Sequence, residues 1–185
     1  MGRKRLVAVT TVAALGLGIL GLWQWAPWSE RAALPTCDEV ATMLPDTVPG
    51  SWTVTHDESN VPYIRRCEFD LTSADQAYMG EVRISIVDGG DATMLQKGVT
   101  GSTCFGEEIP FPGAEQYRAS RFCSTRINDK VLTTVYVASE QRYTHVLASL
   151  TGPDRSEEQT FSYTDDTVQR IADFSMALTT DEGTR

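Results

Sequence analysis

The chain has 185 residues, enough for one domain of ordinary size plus an additional segment. A hydrophobic content of 41% and a charged content of 22% exclude a collagen-like chain, a coiled coil and a wholly disordered protein. Arg3, Lys4 and Arg5 stand at the N-terminus, and the rest of the chain has 13 basic against 25 acidic residues, a net charge of −12. Because such a chain repels polyanions, no nucleic-acid partner is expected.

An uncharged apolar run follows the basic cluster, from Leu6 to Trp23. As a helix, this run would be about 27 Å long, close to the roughly 30 Å hydrocarbon core of a bilayer. Further tryptophans at its C-terminal end suit the membrane–water interface, and basic residues favour the cytoplasmic side. We therefore predict a cytoplasmic stub at 1–5 and a transmembrane signal anchor at 6–28, with the C-terminal domain extracytoplasmic at the cell membrane.

Two other interpretations of the N-terminal segment remain open. A cleaved signal peptide would have the same basic start and apolar middle, but bulky residues near Trp23 and Trp28 are unsuitable for cleavage. A lipoprotein would use Cys37, although Thr36 is a poor residue immediately before a lipidated cysteine. All three interpretations export the same domain.

All four cysteines follow the apolar run, which indicates two disulfides in an oxidising compartment. We favour nearest-neighbour pairing of the three possible connectivities. No closely spaced cysteine pair suggests a metal site, and the segment from Asp88 to Asp91 lacks the alternating oxygen ligands of an EF-hand. We therefore expect no bound metal. The expected pairs are Cys37 with Cys67 and Cys104 with Cys123.

The exported part begins with a linker at 29–35 and then a helix. Thr36 and Glu39 have the spacing of a capping box, and the apolar residues that follow recur at helical spacing. We expect the helix to end at Pro45, because proline cannot continue the hydrogen-bond pattern. Cys37 lies on the predicted buried face.

Alternating apolar and polar residues predict the strands. Cys67, Phe69 and Leu71 lie on one side of such a segment, with charged residues between them. This pattern is typical of an antiparallel sheet with one buried and one solvated face. The predicted strands are 51–56, 63–72, 80–88, 116–127, 130–138 and 142–150.

Two further helices are predicted. The first is capped by Asp91 and runs through Lys97. The second follows a polar loop, is capped by Thr164 or Asp165, and continues to Leu178 along an apolar face.

These elements predict an α+β domain at 36–178, followed by a frayed tail at 179–185. Its fold would be an antiparallel sheet of about six strands with helices packed on one face, preceded by the single transmembrane helix. The order of elements also indicates a sheet built from two similar three-stranded units.

Three short motifs give the chain a family resemblance. Cys37-Asp38-Glu39-Val40 opens a helix, Cys67-Glu68-Phe69 lies in an alternating strand, and a closing helix covers Val168 to Leu178. In these features the chain resembles actinobacterial cell-envelope proteins of unknown function, which carry a small cysteine-stapled α+β domain behind an anchor. The resemblance implies an envelope location and a binding or structural role.

No catalytic motif is present in the sequence. It lacks the nucleophile elbow, zinc-protease helix and phosphate-binding glycine loop, so we predict no catalytic residue and no cofactor. We interpret His56 as a solvated turn residue and His145 as a sheet-surface or core residue. Trp52, Tyr63 and Tyr78 are interpreted as core residues.

The most suggestive charge pattern lies in one predicted strand. Alternation places Arg118, Arg126 and Phe122 on one face and Arg121 on the other. Two guanidinium groups beside an aromatic ring could bind a carboxylate or phosphate, so these three residues are candidate ligand-binding residues. Cross-strand ion pairs with the many acidic residues are the alternative explanation.

The leading functional hypothesis is a single-pass, membrane-anchored extracytoplasmic module that binds an envelope protein or a small anionic ligand. One alternative is a secreted or anchored carboxylate-based hydrolase, which would require a concavity with two carboxylates, one of raised pKa. Another is an accessory subunit that acts through its membrane helix, where Ala14 and Gly18 could support helix packing.

Overall fold

A computed structural model describes residues 34–178, which belong to a compact unit that begins at Ala33. The predicted stub and anchor, most of the linker and the tail at 179–185 lie outside the described residues. Within 34–178, no helix is both long enough and apolar enough to cross a bilayer. The described residues contain their own hydrophobic core and both disulfides.

The domain is an α+β fold. The elements in chain order are α1 (Cys37–Thr47), β1 (Gly50–Val61), β2 (Ile64–Ser73), β3 (Met79–Asp88), α2 (Ala92–Thr100), β4 (Glu107–Glu108), a 3₁₀ turn (Ala114–Gln116), β5 (Ala119–Ile127), β6 (Lys130–Ala138), β7 (Arg142–Thr151) and α3 (Glu157–Ala177). The strands form one seven-stranded antiparallel sheet of order β1-β2-β3-β7-β6-β5-β4. Two three-stranded meanders lie side by side and are joined by the pairing of β3 with β7.

The six predicted strands are all present, and the seventh is a short strand that periodicity cannot reveal. β4 contains only Glu107 and Glu108, both exposed, which pair with Ser124 and Cys123 of β5. Two residues are too few to establish an alternating pattern.

The main core lies between one face of the sheet and helices α1 and α3. Phe69, Ile84 and Val146 are buried there on three adjacent strands, and Val168 and Ile171 of α3 join the same cluster. Alternation fills this face because every second strand residue points to the same side. The stripe of apolar residues on α3 supplies the opposing surface.

The expectation that all helices pack on one face is wrong for α2. Leu95 and Val99 of α2 form a second, smaller cluster with Tyr136 and Ala138. Tyr136 and Ala138 alternate with the main-core residue Val137, so their side chains point to the other face of the sheet. One face therefore carries two helices, and the other is covered by α2 over part of its area.

Two predicted helix boundaries also differ from the structure. α1 continues through Pro45 to Thr47. The helix tolerates this proline because, in the last turn, it removes only one backbone hydrogen bond close to the helix end. α3 begins at Glu157, where Ser156 and Gln159 form a capping box. The last seven residues of the predicted loop, 157–163, are therefore the first two turns of α3.

Both disulfides are present with the expected pairing. Cys37 of α1 bonds to Cys67 of β2, and Cys104 bonds to Cys123 of β5. The first attaches α1 to the sheet through two buried cysteines, and the second holds the loop between α2 and β4 against β5.

A candidate binding cleft beside two stacked tyrosines

The structure does not bring the predicted ligand-binding residues together. Phe122 is 3% exposed and belongs to the main core. Arg118 forms an ion pair with Glu140, whereas Arg126 forms one with Glu157. The two arginines are eight residues apart in sequence, about 26 Å along an extended strand. Both arginines form ion pairs, but these are not the cross-strand pairs of the alternative explanation, because Glu140 lies in the β6–β7 turn and Glu157 in α3.

The two histidines occupy different environments. His56 is exposed, as expected for a solvated residue, but it lies within β1 and not in a turn, because the strand continues to Val61. His145 of β7 stacks on Tyr136 with ring centroids 4.5 Å apart, and its Nε2 atom is buried without a hydrogen-bond partner among the described residues. Burial lowers the pKa of His145 to about 4.

The segment from Asp88 to Asp91 is a strand-to-helix turn. Asp88 forms an ion pair with Arg142 at 3.0 Å, and the Asp91 side chain accepts hydrogen bonds from the first backbone amides of α2. Arg142 also donates to the carbonyl oxygen of Ser175 at 3.0 Å and caps the end of α3. Within residues 34–178, no group of three potential ligands could hold a metal ion.

A cleft lies at one end of the sheet, where three separate parts of the chain meet. One lobe of about 330 Å³ lies between the α1–β1 connection, the β2–β3 turn and the N-terminal half of α3. A second, more open lobe of about 680 Å³ lies along the first turns of α3. Tyr78, Tyr163 and Asp166 line both lobes, so we treat the two as one surface, the tyrosine cleft.

The two tyrosines stack face to face. The Tyr78 and Tyr163 ring centroids are 4.0 Å apart and the rings are nearly parallel, with an angle of 5°. Both side chains are half-buried, and burial raises the pKa of Tyr163. Because each ring packs on the other, the pair forms a rigid apolar wall between the two lobes.

Carboxylates and two arginines surround this wall. The Arg155 guanidinium lies over the Tyr78 ring, 5.8 Å from its centroid, and its Nη2 atom is 3.2 Å from Asp75 Oδ2. Asp166 pairs with Arg170 across one turn of α3 at 2.9 Å.

The β2–β3 turn positions Asp75. Its Oδ1 atom accepts hydrogen bonds from the Ser73 hydroxyl at 2.7 Å and from the Ala77 backbone amide at 3.1 Å. These hydrogen bonds hold the pKa of Asp75 below its usual value, and the hydrogen bond from Ser73 has the larger effect. Asp75 therefore presents a fixed negative charge at the edge of the cleft.

A hydrolase of the expected type needs two carboxylates in the cleft, one of them with a raised pKa. Burial raises the pKa of Asp165. It accepts hydrogen bonds from Thr133 at 2.6 Å and Ser124 at 3.1 Å, beneath α3, and does not line the cleft. Asp165 therefore does not supply a carboxylate of raised pKa to the tyrosine cleft.

The cleft and the start of the described chain lie at opposite ends of the sheet. The Leu34 amide donates to the Pro62 carbonyl at 3.2 Å, and Arg65 donates to the Leu34 carbonyl at 2.8 Å. Strand β2 runs from this end to Ser73 at the cleft, a span of about 30 Å. Leu34, the first described residue, therefore lies far from the cleft.

Sequence reasoning missed this site. Tyr78 was expected in the core, and Tyr163 in a loop, whereas both line the cleft. The Ser156–Gln159 capping box could have placed Tyr163 on a helix. No local pattern links it to Tyr78. Of the other two aromatic residues expected in the core, Trp52 packs against the main core, but Tyr63 is 54% exposed.

Comparisons with known proteins identify no family for this chain. No family model matches, and no curated protein matches. A solved structure described as a GTP binding regulator from Thermotoga maritima is 11% identical, with a TM-score of 0.34, and the match covers 74% of this chain and 87% of that one. This similarity is too low to support a conclusion about fold or function.

Proposed function

We propose that this protein is a membrane-anchored extracytoplasmic binding module of the bacterial cell envelope, and that the tyrosine cleft binds a partner protein. The stacked pair of Tyr78 and Tyr163, set in a cleft with polar side chains on its rim, is the observation that carries the proposal. Aromatic side chains beside hydrogen-bonding groups are typical of protein-recognition surfaces.

The disulfides support the extracytoplasmic location. All four cysteines are paired, and structural disulfides persist mainly in oxidising compartments. The apolar segment at 6–28 supports a membrane anchor with a cytoplasmic N-terminus. An accessory role for that segment is a separate hypothesis, since its residues lie outside the described part of the chain.

A small anionic ligand is less well supported than a partner protein. It was expected at Arg118 and Arg126, which lie apart and are each paired with a glutamate. The cleft itself carries the carboxylates of Asp75, Glu158 and Asp166, which would repel an anion.

Site-specific photocrosslinking in the native envelope tests the proposal. A photoreactive phenylalanine analogue at Ser162, an exposed position in the cleft, should give a discrete adduct. The same analogue at Thr93, an exposed position on α2, is the matched control. A Tyr78→Ala variant should weaken the Ser162 adduct. Equal adducts from both positions, or a Ser162 adduct unchanged by Tyr78→Ala, would rule out the cleft as the binding surface.

The location is tested by fractionation and thiol mapping. We expect the full-length chain in the membrane fraction and two intramolecular disulfides under non-reducing conditions. A shortened form released from the membrane would contradict the anchor, and free thiols at Cys37 and Cys67 would contradict export.

A further inference from the structure

We propose that the tyrosine cleft recognises an arginine side chain of the partner protein, and that Arg155 is an internal competitor for that position. This inference rests on the proposed binding function and names the chemistry of its ligand. The domain's own contact between Arg155, Tyr78 and Asp75 shows how the cleft holds a guanidinium.

The intramolecular contact has both parts of a guanidinium site. The Tyr78 ring face lies 5.8 Å from the Arg155 guanidinium carbon, within the range of a cation–π interaction. Asp75 accepts a charge-assisted hydrogen bond from the same guanidinium at 3.2 Å. Asp75 is fixed for this role by its hydrogen bonds from Ser73 and Ala77.

A tight turn places Arg155 next to Tyr78. The Arg155 amide donates to the Gly152 carbonyl at 2.9 Å, closing the connection between β7 and α3. A Cβ atom on Gly152 would lie 3.0 Å from the Tyr78 ring and 3.1 Å from the Arg155 Cβ atom. The glycine therefore allows the turn to approach the ring closely.

Arg155 is held loosely enough to be displaced. Its side chain is 39% exposed and that of Asp75 is 57% exposed, and exposed ion pairs contribute little to stability. The guanidinium group of a partner arginine would replace that of Arg155 at Tyr78 and Asp75, and the Arg155 side chain would move into solvent.

The charge of the cleft favours a cationic ligand over other polar ligands. Glu158 and Asp166 line it together with Asp75, whereas Arg170 is the one cationic residue of the lining among the described residues, and it is paired with Asp166. Glu158 forms no ion pair within residues 34–178, so its carboxylate is available to a second cationic group of the partner.

¹⁹F NMR of the full chain in an uncharged detergent, labelled with 3-fluorotyrosine, tests the proposal. The chain has six tyrosines, and the signals of Tyr78 and Tyr163 are assigned from their Phe variants. The probe is Nα-acetyl-arginine amide, and Nα-acetyl-citrulline amide is the neutral control of nearly the same shape. We expect the arginine probe to shift both signals and the citrulline probe to shift neither.

An Arg155→Ala variant tests the competition. Removing a competitor that fills the site most of the time should lower the apparent Kd for the arginine probe by about threefold to tenfold. Arg83→Ala removes the same charge from an exposed position on β3 and should change Kd by less than about twofold. Asp75→Asn in the Arg155→Ala background should weaken binding again.

Three results would overturn the proposal: equal shifts from the two probes, no shift from either, or an Arg155→Ala effect no larger than that of Arg83→Ala. A persistent Ser162 photocrosslink in that case would leave the proposed binding function standing, since the partner would then use other chemistry. Absence of the photocrosslink would instead remove the binding function itself.

Discussion

His145 should make the domain less stable as the pH falls from 6.5 to 4. The ring packs on Tyr136, and the residues opposite it in register are Ser85 on β3 and Tyr136 on β6, neither of which supplies a counter-charge. Its Nε2 atom is buried without a partner among the described residues, so protonation would place a charge in an apolar setting. Burial therefore lowers the pKa of His145 from 6.5 to about 4.

The sign and size of the effect follow from proton linkage. Between pH 6.5 and pH 4 the unfolded chain binds a proton at His145 that the folded domain does not, so stability falls as the pH falls. The contribution is fully present above pH 6.5 and is lost by about pH 4. At 1.36 kcal/mol per pKa unit, the total loss from this group is about 3 kcal/mol.

Urea unfolding at a series of pH values measures this effect. Trp52 is the one tryptophan after residue 33, and its ring packs edge-on against Phe69, so its fluorescence reports the core of the domain beginning at Ala33. His145→Phe keeps a ring on Tyr136 and removes the titration, so the wild-type domain should lose about 3 kcal/mol more than this variant between pH 7 and pH 4. The variant His56→Asn is the control, because it removes the other histidine, which is exposed. Parallel pH profiles for wild type and His145→Phe would refute the reasoning.

Three further predictions concern stability. Replacing Cys37 and Cys67 by alanine opens a loop with a sequence separation of 30 and should lower the free energy of unfolding by about 3–4 kcal/mol; a loss below about 1 kcal/mol in urea unfolding would contradict this. Ser156→Ala removes the hydroxyl that caps α3 and should cost about 1 kcal/mol, with Ser156→Thr as the conservative control; equal stabilities would argue against the cap. Arg142→Met removes the largely buried partner of Asp88 and of the carbonyl groups at the end of α3, and should cost about 2–3 kcal/mol by thermal and urea unfolding. Arg83→Met, which breaks exposed ion pairs, should cost under about 1 kcal/mol, and a similar loss from both variants would show that burial of Arg142 is unimportant.

Local patterns in the sequence were sufficient for most of the secondary structure. Alternation identified six strands, and the capping box at Thr36 and Glu39 placed the start of α1. Asp91 was correctly assigned as the cap of α2, because a short side-chain oxygen can bond the first free amides of a helix within three residues. The same rule applied to Ser156 and Gln159 would have located the start of α3. The disulfide pairing also agreed with a simple rule, nearest-neighbour pairing.

The tertiary structure decided what the local patterns could not. Alternation shows that Tyr136 and Val137 face opposite sides of a sheet, but only packing determines that α2 covers the side of Tyr136. The tyrosine cleft is a similar case, because Tyr78 and Tyr163 are 85 positions apart and meet only when the meanders and α3 are assembled. Arg118 and Arg126 are the opposite case. They were predicted to share one ligand-binding site because they lie in one predicted strand, but the extended backbone holds them about 26 Å apart. The net charge of −12 after the basic N-terminus was evident from composition. Only the tertiary structure shows that Asp75 and the Tyr78 ring contact the same guanidinium group, that of Arg155. Short-range hydrogen bonding and side-chain alternation are encoded within a few residues, whereas a binding surface depends on contacts between residues distant in the chain.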